Sequence, residues 1–193
     1  MDTREVAPGL WYWTAPHRNW RPGADWPEAV GCVYYEAPDA VVLIDPLLPR
    51  GEEGKFLEHL DRDVERTGVP VVILLTAPWH ERDAPLLAER YRTSREVGRL
   101  PEGIEVFVPG GQDEGQVAFF IRPHRALVVA EFLMGDGAGG LRVCPSPALI
   151  DRDAFDKSLR DLLELPVERV LVSHGEPVLT EGSRRLVEAI RAS

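Results

Sequence analysis

Two histidines stand where chemistry is easiest to place. His80 lies in the run Thr76-Ala-Pro-Trp-His-Glu-Arg82, and His174 lies in Ser173-His-Gly-Glu-Pro-Val178. An imidazole titrates near neutrality and serves as a general base or as a metal ligand. In a hydrolase without metal, either ring would have to activate a hydroxyl, and Thr76 and Ser173 are the hydroxyls nearby. Nothing in the sequence pairs either one with a base, so that chemistry lacks an evident nucleophile. His174 is explained equally well as a residue held by packing and hydrogen bonds at a strand end. His17, His59 and His124 have no partner spacing and are expected to be solvated or locally bonded. Cys32 and Cys144 sit far apart among apolar neighbours. Buried, inert thiols are expected there, in preference to a disulfide or a metal pair.

The elements that must position these residues can be read from periodicity. Residues 30–36 and 41–44 read as a hairpin across the turn Ala37-Pro-Asp-Ala40. Phe56, Leu57, Leu60 and Val64 recur at helical spacing over 52–66, and Gly68-Val-Pro stops that helix. The unbroken apolar run at 71–75 predicts a strand covered on both faces. Asp83 is placed to cap a helix reaching Tyr91, with Pro85 in its first turn. Strands are predicted again over 104–108, 117–121, 126–130 and 169–172. A helix carrying Phe155, Leu159, Leu162 and Leu163 follows Asp151 or Asp153. Thr180 is expected to cap a last helix with Leu186, Val187 and Ile190. Two successive β-rich halves, each ending in strand and helix, imply an α/β protein with two sheets and helices outside them.

Motif order takes the reading further. Leu43-Ile-Asp45-Pro follows the first hairpin, a helix leads to the strand ending Leu74-Leu-Thr76, and Gly111-Gln-Asp-Glu-Gly115-Gln precedes a strand pair ending near Glu131. The last strand runs directly into His174. In this order the motifs resemble those of the metallo-β-lactamase superfamily, from about Trp11 to the C-terminus. The resemblance implies an αββα sandwich of two mixed sheets with helices on the outer faces, as a single domain over residues 1–193. It implies a cleft at one edge of the sheets, where Thr76 to Arg82, Gln112, Glu131 and His174 converge beside Asp45. Members of that family hold one or two metal ions, commonly zinc, which polarise a substrate oxygen and lower the pKa of a water.

Set against the family's ligand pattern, this sequence departs at nearly every position. The first two His positions fall on Ala77 and Trp79, the Asp position on Glu81 and the third His on Arg82. The later Gly-His becomes Gly111-Gln112, the bridging Asp falls on Glu131, and only His174 matches in kind. Ala and Trp offer no lone pair, and a carboxamide is a poor substitute for imidazole, so the first of the two metal sites is expected to be lost. The second retains Glu81, Glu131 and His174, a set that would hold one zinc or other divalent ion. Arg82, with a fixed positive charge, competes for the same oxygens and is expected to donate to Glu131 or Asp45. A register shifted by one places His80 on the second His and Asp83 on the third; against it, Asp83 is already accounted for as a helix cap.

The resemblance therefore implies a metallo-β-lactamase-fold protein without the dinuclear centre, non-catalytic or ligand-binding, with no metal expected. Its alternative is a mononuclear hydrolase using Glu81, Glu131 and His174. Trp11-Tyr-Trp13, Trp20 and Trp26 are expected to pack strands and loops, or to form a hydrophobic lid in the resembling fold. With 32 acidic against 22 basic residues the chain carries a net charge of −10. Such a surface repels nucleic acid and anionic membranes, which leaves a small molecule or a protein as the expected partner. The charged N-terminus does not read as a signal peptide, and the longest apolar runs are too short to span a bilayer, so a cytoplasmic location is expected.

Overall fold

The computed structural model describes residues 2–93, 99–112, 115–145 and 149–193. Among these residues it is a mixed α/β protein with two main mixed sheets and four α-helices. Its contacts group into two compact units, residues 1–75 with 79–103, and residues 76–78 with 104–193. The two β-rich halves expected from the sequence correspond to these units.

The first unit is built on a five-stranded sheet in sequential order, β1 (Asp2–Ala7), β2 (Leu10–Pro16), β3 (Ala29–Glu36), β4 (Val41–Ile44) and β5 (Val71–Leu74). Neighbours are antiparallel except β4 and β5, which run parallel with Val41 opposite Val71 and Ile44 opposite Leu74. A parallel pair needs a crossover, and α1 (Glu53–Thr67) supplies it. The helix stops where the sequence says it must: Gly68 adopts φ 67°, and its N–H returns to the Val64 carbonyl. One sheet face carries Trp13, Cys32, Tyr34, Leu43 and Ile73 into a core with Leu60 of α1 and Leu87 of α2 (Ala84–Tyr91). Val42 and Ile44 on the opposite face are buried as well, which is why β4 reads as an unbroken apolar run.

The second unit holds a four-stranded sheet in the order β11-β8-β7-β6, made of β6 (Ile104–Phe107), β7 (Ala118–Ile121), β8 (Ala126–Val129) and β11 (Arg169–Val172). β8 and β11 are parallel, and β6–β7 and β7–β8 are antiparallel. A small hairpin, β9 (Leu133–Gly135) and β10 (Leu141–Val143), is turned by Asp136, whose carboxylate accepts from Ala138 N at 2.7 Å and Gly140 N at 2.8 Å. Phe120, Leu127, Phe132, Phe155, Val170 and Leu186 centre a core between this sheet, α3 (Arg152–Asp161) and α4 (Gly182–Ala192).

Several local expectations are corrected. Asp83 stands at the N-cap of α2, but its carboxylate makes no cap bond there. It accepts from Leu48 N at 2.7 Å and pairs with Arg18 at 2.8 Å, so it ties β4's exit to the helix start. Thr180 does not cap α4; Glu181, in the left-handed region at φ 59°, precedes it. Asp151, of the two candidates, caps α3 by accepting from Ala154 N at 3.0 Å. Cys32 is buried as expected, with burial pushing its thiol up to about 11, but Cys144 is only half-buried. Strands β1 and β2 and the β9–β10 hairpin went unread, the first because it is charged and at most half-buried. Among the described residues, no helix is long and apolar enough to cross a membrane.

Candidate metal centre

In the first unit the site grows from the end of β4. Asp45 continues the sheet by donating its N–H to the Leu74 carbonyl at 3.0 Å, then turns the chain at φ 50°, a strained value for a non-glycine residue. Its side chain is buried, and Oδ2 lies 2.9 Å from His80 Nδ1. The residues Pro78–His80 close a single 3-10 turn, which carries His80 inward to 3% exposure. Trp79, beside it, is 45% exposed and meets the His80 ring edge-on at a centroid distance of 6.2 Å. Glu81 is exposed, and its carbonyl accepts from Ala84 N at the start of α2. The carboxylate position implied by the family pattern is therefore on the surface, and the buried side chain in this loop is an imidazole.

Arg82 also sits at positive φ, 42°. Its Nη1 donates to the carbonyls of Gly31 and Asp45, each at 2.8 Å. The expected pairing with Asp45 is thus made through that residue's backbone, while its carboxylate faces His80. Arg82 acts as a clasp between β3 and the exit of β4, and it lies 3.5 Å from Cys32 Sγ.

In the second unit Thr76, fully buried, accepts from Val117 N at 2.7 Å through its carbonyl. Glu131 follows β8, and His174, 4% exposed, follows β11; the parallel pairing of those strands sets the two residues side by side. Glu131 Oε1 lies 3.3 Å from His174 Nε2. Two glycines let the backbone behind His174 close up. A Cβ on Gly135 would stand 2.5 Å from Glu176 N, and one on Gly175 would stand 2.8 Å from Gly135 O. Gly135 N donates to the His174 carbonyl at 3.0 Å, which fixes the histidine's backbone.

Gln112 and Glu131 are joined by a residue to which the sequence assigned no role. Gln116, 3% exposed, donates from Nε2 to Gln112 Oε1 at 3.2 Å and accepts from Glu131 N at 3.1 Å. It belongs to the glycine-flanked motif, but only burial distinguishes it, and no spacing signals that. Asp113 and Glu114 of the same motif lie outside the described residues. Gly111 is pressed against the start of α3, where a Cβ would stand 2.0 Å from the Asp151 carbonyl, so Gln112 is placed by that close approach.

Thr76, Gln112, Glu131 and His174 thus belong to one unit, and Asp45, Trp79, His80, Glu81 and Arg82 to the other. The donors suited to a metal are an imidazole nitrogen and a carboxylate oxygen from the Glu131–His174 pair, and the ring of His80 in the first unit. With Nδ1 facing Asp45, Nε2 is the nitrogen His80 could offer a metal, and an outer carboxylate behind a ring in this way fixes its tautomer.

No protein-family model matches this chain, and no curated protein matches its sequence. Solved structures do match. A metallo-beta-lactamase from Pontibacter korlensis is 15% identical at a TM-score of 0.57, covering 100% of this chain and 99% of that one. A metallo-beta-lactamase from Erythrobacter litoralis is 12% identical at a TM-score of 0.63, covering 99% and 92%. The DIM-1 metallo-beta-lactamase, exposed to ceftazidime, is 10% identical at 0.60, covering 99% and 96%. Across its whole length this chain has the metallo-β-lactamase fold, the one its motif order resembles.

Proposed function

We propose that the protein is a hydrolase that works with a single divalent ion, with His80, Glu131 and His174 as the ligands. The observation that carries this reading is the donor set: two imidazoles and one carboxylate. Three protein ligands of these types, with a further position left for water or substrate, are the composition of catalytic zinc sites. The set differs from the Glu81, Glu131, His174 alternative in one member, because the 3-10 turn buries His80 and leaves Glu81 exposed.

An ion held there supplies Lewis-acid polarisation of a carbonyl or phosphoryl oxygen and lowers the pKa of a water. The chain's own residues prepare for it. Asp45 holds His80 in the tautomer that presents Nε2. Gln116 fixes the backbone of Glu131, and the Gly135–Gly175 contact fixes that of His174. Arg82 ties down the Asp45 carbonyl, so the strained turn that aims the Asp45 carboxylate keeps its shape.

A second reading, a binding protein without turnover, is favoured by the Arg82 guanidinium, whose fixed charge stands where the family pattern has a ligand. On either reading we favour a small molecule or protein as partner over nucleic acid or membrane, on the strength of its net charge of −10. The deciding experiment loads chelator-stripped protein with one equivalent of zinc and assays chromogenic esters, lactams and phosphodiesters. Turnover that needs zinc and is lost in His174→Ala supports the hydrolase. Zinc bound without turnover on any of these supports the binding protein.

A further inference from the structure

The Gly111-Gln112 step ends in a carboxamide whose orientation the chain itself dictates. The backbone there is fixed from the α3 side: Gln112 makes an antiparallel bridge to Leu149, and the Gly111 carbonyl accepts from Ile150 N at 2.8 Å and Asp151 N at 3.2 Å. The side chain is fixed through Gln116. Glu131 N is a backbone donor, so the Gln116 atom that faces it at 3.1 Å has to be the oxygen. The nitrogen of the same amide is left to donate, and it does so to Gln112 Oε1 at 3.2 Å. With its oxygen taken, Gln112 presents the NH2 end of its amide.

That nitrogen is buried, and among the described residues nothing accepts from it. Enclosed polar side-chain atoms are bonded in the large majority of cases, so a donor left over calls for an explanation. Leaving it unmet is costly to the fold, and the low local dielectric strengthens whatever bond it does make. Gln112 as a whole is only half-buried, which places this donor near the surface of its unit. It stands one side chain away from Glu131, whose Oε1 lies 3.3 Å from His174 Nε2. Gln112, Gln116, Glu131 and His174 all belong to the same unit.

We propose that Gln112 Nε2 donates to the carbonyl-derived oxygen of an acyl compound, an ester or amide, bound beside Glu131 and His174. The reaction rests on the hydrolase reading above, whereas the hydrogen bond rests on Gln112 itself. As a water oxygen bonds to the carbonyl carbon, the π pair of the C=O moves onto its oxygen, and Nε2–H meets the negative charge there. When that pair returns, the bond to the leaving oxygen or nitrogen breaks, and the leaving atom keeps the bonding electrons and takes the proton shed by the water. A donor already in place needs no reorganisation as the charge develops, which is where an oxyanion contact lowers a barrier. Gln116 acts through Gln112 and is a positioning residue.

Phenylacetate, the acid released from such an ester, is titrated into isotope-labelled, zinc-loaded protein while the side-chain NH2 signals of Gln112 are followed by NMR. In the wild type they should shift saturably. Gln112→Met, which keeps the length of the side chain and removes the donor, should bind zinc as the wild type does and phenylacetate about tenfold more weakly. Its kcat on para-nitrophenyl phenylacetate should fall on the order of 100-fold with KM little changed. Gln112→Glu still accepts from Gln116 but sets a carboxylate oxygen where the donor was, and should weaken phenylacetate further. Gln112 signals that do not move, or a kcat in Gln112→Met equal to that of the wild type, overturns the proposal. A wild type that hydrolyses no ester fails the hydrolase reading instead; a shift of the Gln112 signals then upholds the donor, and its absence removes it.

Discussion

Asp45 Oδ2 and His80 Nδ1 stand 2.9 Å apart with both side chains almost wholly buried, and Asp45 reaches that position through a left-handed backbone at φ 50°. A backbone strain of this size costs about 1–3 kcal/mol and persists where the surroundings hold it in place. Here the holding contacts are the Asp45 N–H to Leu74 and the Asp45 carbonyl to Arg82.

Asp45→Asn tests the tuning of His80. Asparagine tolerates the left-handed region and can still meet Nδ1, so the fold should survive. Removing the charge should weaken zinc binding by on the order of 10- to 100-fold, the usual effect of losing an outer carboxylate behind a histidine ligand. Unchanged zinc affinity in a folded variant would show that the pair is structural only.

Arg82→Met tests the clasp. It removes the donor to the Gly31 and Asp45 carbonyls, and hydrogen bonds from a charged donor are worth about 1.5–3 kcal/mol each. Chemical denaturation should show a loss of that order, with little change in the denaturant slope. A neutral outcome would mean that water replaces the guanidinium without loss.

Gly111→Ala should be far more damaging than its size suggests. The added carbon would meet the Asp151 carbonyl at 2.0 Å, on a residue at φ 71°. A loss of about 3 kcal/mol is expected from overpacking and strain together. Asp151→Ala, which removes only the exposed cap to Ala154, should cost about 1 kcal/mol and serves as the comparison.

Acid stability should depend on Asp61. The hydrogen bond from Arg90 and, after opposing burial, that from Tyr91 hold its carboxyl below the usual range. A group whose folded pKa is depressed contributes stability above its unfolded pKa and loses it as pH falls through the folded one. The wild type should therefore lose stability on acidification below about pH 4, and Asp61→Asn should show a shallower loss over that window. Parallel acid limbs for the two proteins would contradict this.

Much of this architecture is legible in the sequence. The strands at 41–44 and 169–172 and the helix ending before Gly68 coincide with their periodic signals, because each buries its apolar residues in a single pattern. Strand β1 is hidden since Asp2, Arg4 and Glu5 carry no alternation that a core would impose. The site is less legible for a local reason. The choice between His80 and Glu81 turns on one residue of register in a proline-initiated 3-10 turn, and only the turn itself decides which side chain goes inward. Asp83 looks like a helix cap and occupies that place, but its carboxylate is used by Leu48 and Arg18, contacts about 35 and 65 residues away that no local pattern encodes. Gln116 is hidden for the same reason, since its importance lies in a bond to Glu131 across two strands.

Calorimetric zinc titration of chelator-stripped protein, run on the wild type, His80→Gln and Glu81→Gln, tests the central claim most directly. The account predicts one zinc per chain in the wild type, unchanged binding in Glu81→Gln, and a loss of at least about tenfold in His80→Gln. Two zinc ions per chain, no zinc at all, or a loss that follows Glu81 and spares His80 would contradict it.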